Sequence, residues 1–186
     1  MKLIIIEGTD NTGKDTLISK IMERYPIVTV MHCGKPFSKK FSGKEQDLLF
    51  NVYADSIVNG DYDSSHVIIM NRSHIGEYVY GTLYRNRDQN EVADMILDID
   101  NKLVSRKDLV VKYVQLVCTS EMLLMQNEDG KSLSNGDSKG IITETNKFGE
   151  IYQKSLLNKK MIKVNNEDKF RSREDIFNEV WKFIEN

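Results

Sequence analysis

Residues 3–16 read Leu3-Ile4-Ile5-Ile6-Glu7-Gly8-Thr9-Asp10-Asn11-Thr12-Gly13-Lys14-Asp15-Thr16. The run Leu3 to Ile6 is short and β-branched, the pattern of a strand buried on both faces. From Lys14 to Arg24 the apolar residues Leu17, Ile18, Ile21 and Met22 recur at helical spacing. Between strand and helix lies the skeleton G-x-x-x-x-G-K. Its glycines let the chain curl so that successive amides face one anion, and the helix that follows adds its positive end. Gly8, Asn11, Thr12, Gly13, Lys14, Asp15 and Thr16 are therefore the expected contacts for the phosphates of a nucleoside triphosphate, with Lys14 as the cation on the terminal groups. One position departs from the pattern. A hydroxyl normally follows the lysine and binds Mg²⁺, but here Asp15 follows and the hydroxyl comes at Thr16. A carboxylate is also a hard oxygen ligand, able to hold Mg²⁺ directly or through water.

Outward from this segment the chain alternates strands and helices. Ile27 to Met31 reads as a strand ended by Gly34 and Pro36, and Glu45 to Val58 as a helix. Val67 to Met70 is a third strand, followed by helices over Ile75 to Tyr84 and Val92 to Leu103. Leu109 to Val117 is a fourth strand and Glu121 to Gln126 a short helix. Residues 127–140 carry three glycines among polar residues and read as a mobile segment. Ile142 to Leu157 is helical, Met161 to Val164 is a fifth strand, and Arg173 to Ile184 closes the chain as a helix. The expectation is one α/β domain over residues 1–186, a three-layer fold with a five-stranded parallel sheet, helices on both faces and a short lid. Ligands in such sheets sit beyond the carboxyl ends of the strands, which marks Glu7, His32 to Lys35, Asn71 to Ser73 and Thr119 to Glu121.

The 186 residues are 40% hydrophobic and 29% charged, a globular composition. Net charge is −2, which gives no global basic field for nucleic acid. Cys33 and Cys118 lack metal-type spacing and read as buried thiols in a reducing compartment. The apolar run at the N-terminus is too short for a signal peptide, and no segment approaches a membrane span. The expected location is the cytoplasm.

The opening Leu3-Ile4-Ile5-Ile6-Glu7-Gly8-Thr9-Asp10-Asn11-Thr12-Gly13-Lys14 resembles the start of the thymidylate kinase family and its deoxynucleoside kinase relatives among the P-loop kinases. The resemblance implies that Asp10, at the third position of the loop, lies near the deoxyribose of the acceptor. Val67-Ile68-Ile69-Met70-Asn71-Arg72-Ser73 resembles the family's strand that ends in Asp-Arg. Arg72 matches the arginine that meets substrate phosphates, and Asn71 stands where the family has an acid that helps the Mg²⁺ site. His74 to Arg85 resembles phage-encoded members, which implies a host cytoplasm. Glu144, Phe148 and Tyr152 fall on one helix face and look like the helix after the family's lid. The two departures can be one: Asp15 adds a carboxylate where the family has a hydroxyl, Asn71 removes one where it has an acid, and the charge around the ion is unchanged.

The resemblance implies an ATP- and Mg²⁺-dependent nucleotide kinase acting on a small deoxynucleotide, and a homodimer as one assembly. The acceptor is open. A phosphate monoester has its second pKa near about 6 and is already a nucleophile at neutral pH, so it needs cations. An alcohol keeps its proton and benefits from a carboxylate base. Arg72 and Lys35 are the candidate cations, Glu7 and Asp10 the candidate bases. The first reading is a deoxynucleoside monophosphate kinase, thymidylate kinase-like. The alternatives are a kinase acting on a hydroxyl, in a deoxynucleoside or a hydroxymethyl pyrimidine in DNA, and a catalytically weak regulatory protein that binds nucleotide. The lid segment has no arginine, so Lys131 is the candidate lid cation, with Arg85 and Arg87 on the other rim. Phe37, Phe41, Phe50, Tyr53, Tyr78 and Tyr80 are candidates to stack on the acceptor base, with Phe50, Tyr53 and Tyr80 preferred.

Overall fold

The computed structural model describes residues 1–33, 43–127, 130, 132–134 and 137–186. Lys35, Phe37, Phe41 and Lys131 lie outside the described residues. Five strands, β1 (Lys2–Glu7), β2 (Val28–His32), β3 (Val67–Asn71), β4 (Val110–Val117) and β5 (Lys159–Lys163), form one sheet in the order β2-β3-β1-β4-β5. Every pairing in it is parallel. The helices are α1 (Lys14–Met22), α2 (Gly43–Asn59), α3 (His74–Tyr84), α4 (Gln89–Ser105), α5 (Glu121–Gln126), α6 (Ser138–Lys154) and α7 (Arg173–Glu185). This is the three-layer α/β architecture expected from the alternating pattern.

Successive side chains of a strand point to opposite faces, and β1 divides its isoleucines accordingly. Ile4 and Ile6 join Ile69, Val114, Leu116 and Ile162 beneath α1 and α7. Leu3 and Ile5 join Ile68, Met70, Val111 and Tyr113 beneath α2, α3 and α4. Both faces are covered, so the strand is apolar throughout, and Leu3 to Ile6 are fully buried. Central β1 thus delivers Glu7 and the following loop to the middle of the sheet's carboxyl edge, flanked by the end of β3 on one side and of β4 on the other.

Two elements depart from the sequence reading. Helix α6 begins at Ser138, inside the segment expected to be a mobile loop, because the Asp137 carboxylate accepts from Gly140 N at 3.0 Å and caps the helix. It also stops at Lys154, before the expected Leu157. Ser155 N closes the last turn on Ile151 O, and the buried Asp100 captures Ser155 Oγ at 2.7 Å and Leu156 N at 2.8 Å. The same carboxylate holds His74 Nε2 at 2.9 Å, which ties the start of α3 to the end of α6 through α4. Beyond β5, β6 (Asn165–Asn166) and β7 (Lys169–Phe170) form a small antiparallel hairpin absent from the sequence reading. Among the described residues, no helix is long and apolar enough to cross a membrane.

Candidate active site

The loop after β1 is curled by three residues in the left-handed region, Asn11 (φ 63°), Gly13 (φ 85°) and, further out, Gly8 (φ 144°). A Cβ at Gly8 would lie 2.5 Å from Leu116 O of β4, so the position needs glycine for space as well as for backbone angle. Thr12 Oγ1 donates to Thr9 O at 2.8 Å and closes the curl. Lys14 lies along the inside of the loop, its ammonium donating to Gly8 O at 3.0 Å and Thr9 O at 2.7 Å. Burial, with the Arg72 charge nearby, lowers its pKa to about 8. Gly13 is the N-cap of α1 and carries no side chain to cap it, which leaves that helix end to an anion.

The end of β3 meets this loop from the side. Arg72 is itself left-handed (φ 66°). Its guanidinium pairs with Asp10 Oδ1 and lies 5.0 Å from the centre of the Tyr80 ring. Ser73 anchors Glu7: Glu7 Oε1 accepts from Ser73 N at 2.6 Å, Ser73 Oγ at 2.9 Å and Gly76 N at 3.2 Å. A Cβ at Gly76 would come within 3.3 Å of the same carboxylate, so α3 approaches Glu7 closely because residue 76 has no side chain. Glu7 Oε2 is buried and has no hydrogen-bond partner among the described residues. Burial raises the Glu7 pKa, against the opposing pull of Arg72, the Ser73 hydrogen bonds and Lys14. Before Arg72, Asn71 Nδ2 donates to Asp15 Oδ1 at 2.6 Å and lies 3.2 Å from His32 Nδ1.

Between the loop and helices α2 and α3 is a cleft of about 420 Å³, open to solvent, lined by Asp10, Arg72, Tyr80, Phe50, Gln46 and Arg85 among others. The Tyr80 ring rests edge-on against buried Phe148 of α6 (centroids 5.9 Å apart), and Leu133 packs against both from above. At the end away from the loop, Gln46 Oε1 and Arg85 Nε are buried without partners among the described residues. That end is braced by charge. Buried Glu77 pairs with Arg85 and, at 3.2 Å, with Arg87, and Arg87 grips Asp47 of α2 through two bonds of 2.6 and 2.7 Å. Glu144 lies near Asp10 and the loop, accepts from Tyr84 Oη at 2.6 Å, and has its pKa raised by burial.

A second hollow, about 780 Å³ and also open, lies on the other side of the loop. Thr16 and Leu17 of α1 form one wall, and Val164, Phe170, Arg171 and Ile176 the other. The β6–β7 hairpin puts Phe170 and Arg171 there, with Arg171 tethered to Lys163 O at 2.6 Å.

The fold thus brings Glu7, Asp10, Lys14, Asp15, Asn71 and Arg72 to one place, with Phe50 and Tyr80 on the cleft wall. Tyr53 is not on that wall: it is partly buried against the core beneath the sheet. Tyr78 also turns away, donating to Glu150 of α6 at 3.0 Å, and Tyr152 packs on Tyr113 of the core. Thr16 faces the second hollow, away from Asn71. Gln46, Glu77, His32, Phe170 and Arg171 were not among the site residues expected from sequence. Glu77 and Gln46 were legible only as polar residues on apolar helix faces.

No family model and no curated protein matches the sequence. Solved structures match by shape. The YorR protein of Bacillus subtilis, in complex with phosphorylated GDP, superposes with a TM-score of 0.65 at 17% identity over 98% of this chain and 95% of its own. Thymidylate kinase from Candida albicans gives 0.64 at 16% identity, over 98% of this chain and 90% of its own. Deoxyadenosine kinase from M. mycoides with bound dATP gives 0.59 at 16%, over the whole of both chains. The fold is that of the P-loop kinases. At these identities the likeness extends to the path of the chain, and the chemistry rests on the residues described above.

Proposed function

We propose that this protein transfers the terminal phosphoryl group of ATP, with Mg²⁺, to a deoxynucleoside monophosphate of the thymidylate type, forming the diphosphate. The observation that carries this reading is the position of Arg72. Its guanidinium lies between the phosphate loop and the cleft, paired with Asp10 and backed by Tyr80, where a donor phosphate and an acceptor phosphate would meet. Phosphoryl transfer is mostly positioning and charge neutralisation, and a monophosphate needs such a cation rather than a base. In this reading the second hollow takes the donor base, its apolar wall of Leu17, Val164, Phe170 and Ile176 suiting a flat heterocycle. The cleft takes the acceptor, with its phosphate on Arg72, its sugar near Asp10, and its base between Phe50 and the unpartnered Gln46 Oε1 and Arg85 Nε. One acceptor and one donor atom there match the edge of a pyrimidine, and leaving them unmatched costs about 1–3 kcal/mol each.

Asp15 and Asn71 supply a carboxylate and an amide oxygen, hard donors of the kind Mg²⁺ takes, and the ion would neutralise charge on the donor phosphates. Lys14 leaves its two loop carbonyls for those phosphates.

Glu7 supports a second reading. A buried carboxylate with one oxygen fixed by three donors and the other without a partner is built like a base for a substrate hydroxyl. Purified protein with ATP and Mg²⁺, offered dTMP, other monophosphates, thymidine and hydroxymethylated DNA in turn, separates the two. Phosphate appearing on dTMP is expected. Phosphate appearing only on a hydroxyl replaces the first reading with the second, and transfer to none of them refutes both.

A further inference from the structure

The contact between Asp15 and Asn71 joins two positions 56 residues apart, and it does so through one side-chain amide. That amide has two N–H groups and one carbonyl oxygen. Its nitrogen lies 2.6 Å from Asp15 Oδ1 and 3.2 Å from His32 Nδ1, so both N–H groups have an acceptor and the carbonyl oxygen faces away from both. The opposite orientation would set that oxygen against the Asp15 carboxylate, acceptor against acceptor. Orientation is thus decided by the two neighbours. His32 reaches Asn71 because β2 and β3 pair in parallel with these two residues in register at the carboxyl ends of their strands. Asn71 is buried, whereas Asp15 and His32 are exposed, so the buried residue is the one whose orientation the other two settle.

We infer that the anionic contact for the divalent cation has moved from the end of β3 to the first turn of α1, and that His32 is the positioning residue that makes the exchange work. His32 accepts one N–H of Asn71, Asn71 gives the other to Asp15 Oδ1, and the carboxylate is held with its second oxygen free for the cation. Asn71 then contributes a neutral carbonyl oxygen in place of an acid. A carboxylate at 71 would have faced Asp15 at hydrogen-bond distance with no proton between them, which is why the two positions cannot both be acids at low cost. The inference rests only on the nucleotide-binding half of the proposed function and is independent of what the acceptor is.

The test is the affinity for ATP measured by calorimetry twice, with Mg²⁺ and with EDTA, the ratio of the two dissociation constants being the metal's contribution. Asp15→Ser is expected to lower that ratio about tenfold, and Asp15→Ser with Asn71→Asp together to recover it to within about threefold of the natural protein. His32→Ala is expected to lower the ratio several-fold while affinity in EDTA is unchanged. His32→Asn, whose side-chain carbonyl can still accept, is expected to recover most of the loss. Unfolding curves of all four variants show whether each folds, and EPR of bound Mn²⁺ reports the ligand change directly. A ratio that survives Asp15→Ser, a double variant no better than Asp15→Ser, or His32→Ala and His32→Asn giving equal ratios would each overturn the inference. A protein that phosphorylates no acceptor yet shows these ratios would retire the proposed function and leave this inference standing.

Discussion

Replacing Glu7 by Gln separates the two acceptor readings, and the structure sets what the change costs. Gln keeps an oxygen where Ser73 N, Ser73 Oγ and Gly76 N donate, so three hydrogen bonds survive without charge assistance. Hydrogen bonds to a charged group are worth about 1.5–3 kcal/mol against about 0.5–1.5 for neutral ones, a loss of roughly 3–4 kcal/mol over three. Against this, the buried ion no longer needs to be desolvated, a gain of several kcal/mol. The opposing effects nearly cancel, and the net change is about 2 kcal/mol or less in either direction. The pH dependence has a definite sign. Burial raises the Glu7 pKa in the folded protein, so its contribution to stability is full below the unfolded pKa and is lost as pH rises through the folded one. Glu7→Gln therefore flattens the fall in stability that the natural protein shows above the ordinary carboxylate range, measured by urea unfolding at a series of pH values. Catalysis responds differently. With a monophosphate acceptor no base is needed, and kcat for dTMP is expected to fall by less than about tenfold, whereas loss of a general base costs about 10²–10⁴. A coupled ADP-release assay measures it. A fall of a thousandfold on dTMP in a variant with unchanged Tm would refute the assignment of Arg72 rather than Glu7 as the group that meets the acceptor.

Asp100 satisfies three buried donors, on His74, Ser155 and Leu156. Asp100→Ala is expected to destabilise by about 3–5 kcal/mol and Asp100→Asn by clearly less, because an amide still accepts from two of them; equal midpoints in urea would contradict the network. Phe170→Ala is expected to raise KM for ATP about tenfold with KM for the acceptor unchanged, since Phe170 lines only the second hollow; a change confined to the acceptor's KM would place the donor base elsewhere.

The layers of the fold were legible because each strand has one environment on each face. Leu3 to Ile6 and Val67 to Met70 are apolar without interruption, and only a sheet covered on both sides buries such runs. The hairpin of β6 and β7 was not legible. Its turn, Glu167-Asp168, lacks the glycine or asparagine that marks tight hairpins, yet Glu167 adopts φ 48°. Missing it meant missing Phe170 and Arg171. The start of α6 was hidden for a related reason: Ser134, Asn135, Gly136 and Asp137 read as loop, although Asp137 is a good N-cap. At the site, the glycine spacing exposed the phosphate loop, whereas the contacts that join Asp15 to Asn71 and Glu77 to Arg85 depend on where separate elements meet. Tyr53 and Phe50 share a helix and lie three residues apart, and spacing alone did not show that one faces the cleft and the other the core.

Arg72 carries a backbone conformation that suits glycine, at a cost of about 1–3 kcal/mol for a residue with a side chain. The turn after β3 would be relaxed by Arg72→Gly, and the Asp10 partner is partly exposed and easily hydrated. Any selection for heat resistance alone, in a directed-evolution library or a consensus design, would therefore drift toward glycine at this position. The survivors would be hardier and inert, since the strained residue is also the one that aims a guanidinium into the cleft. Screens on this scaffold need turnover as a second criterion from the first round.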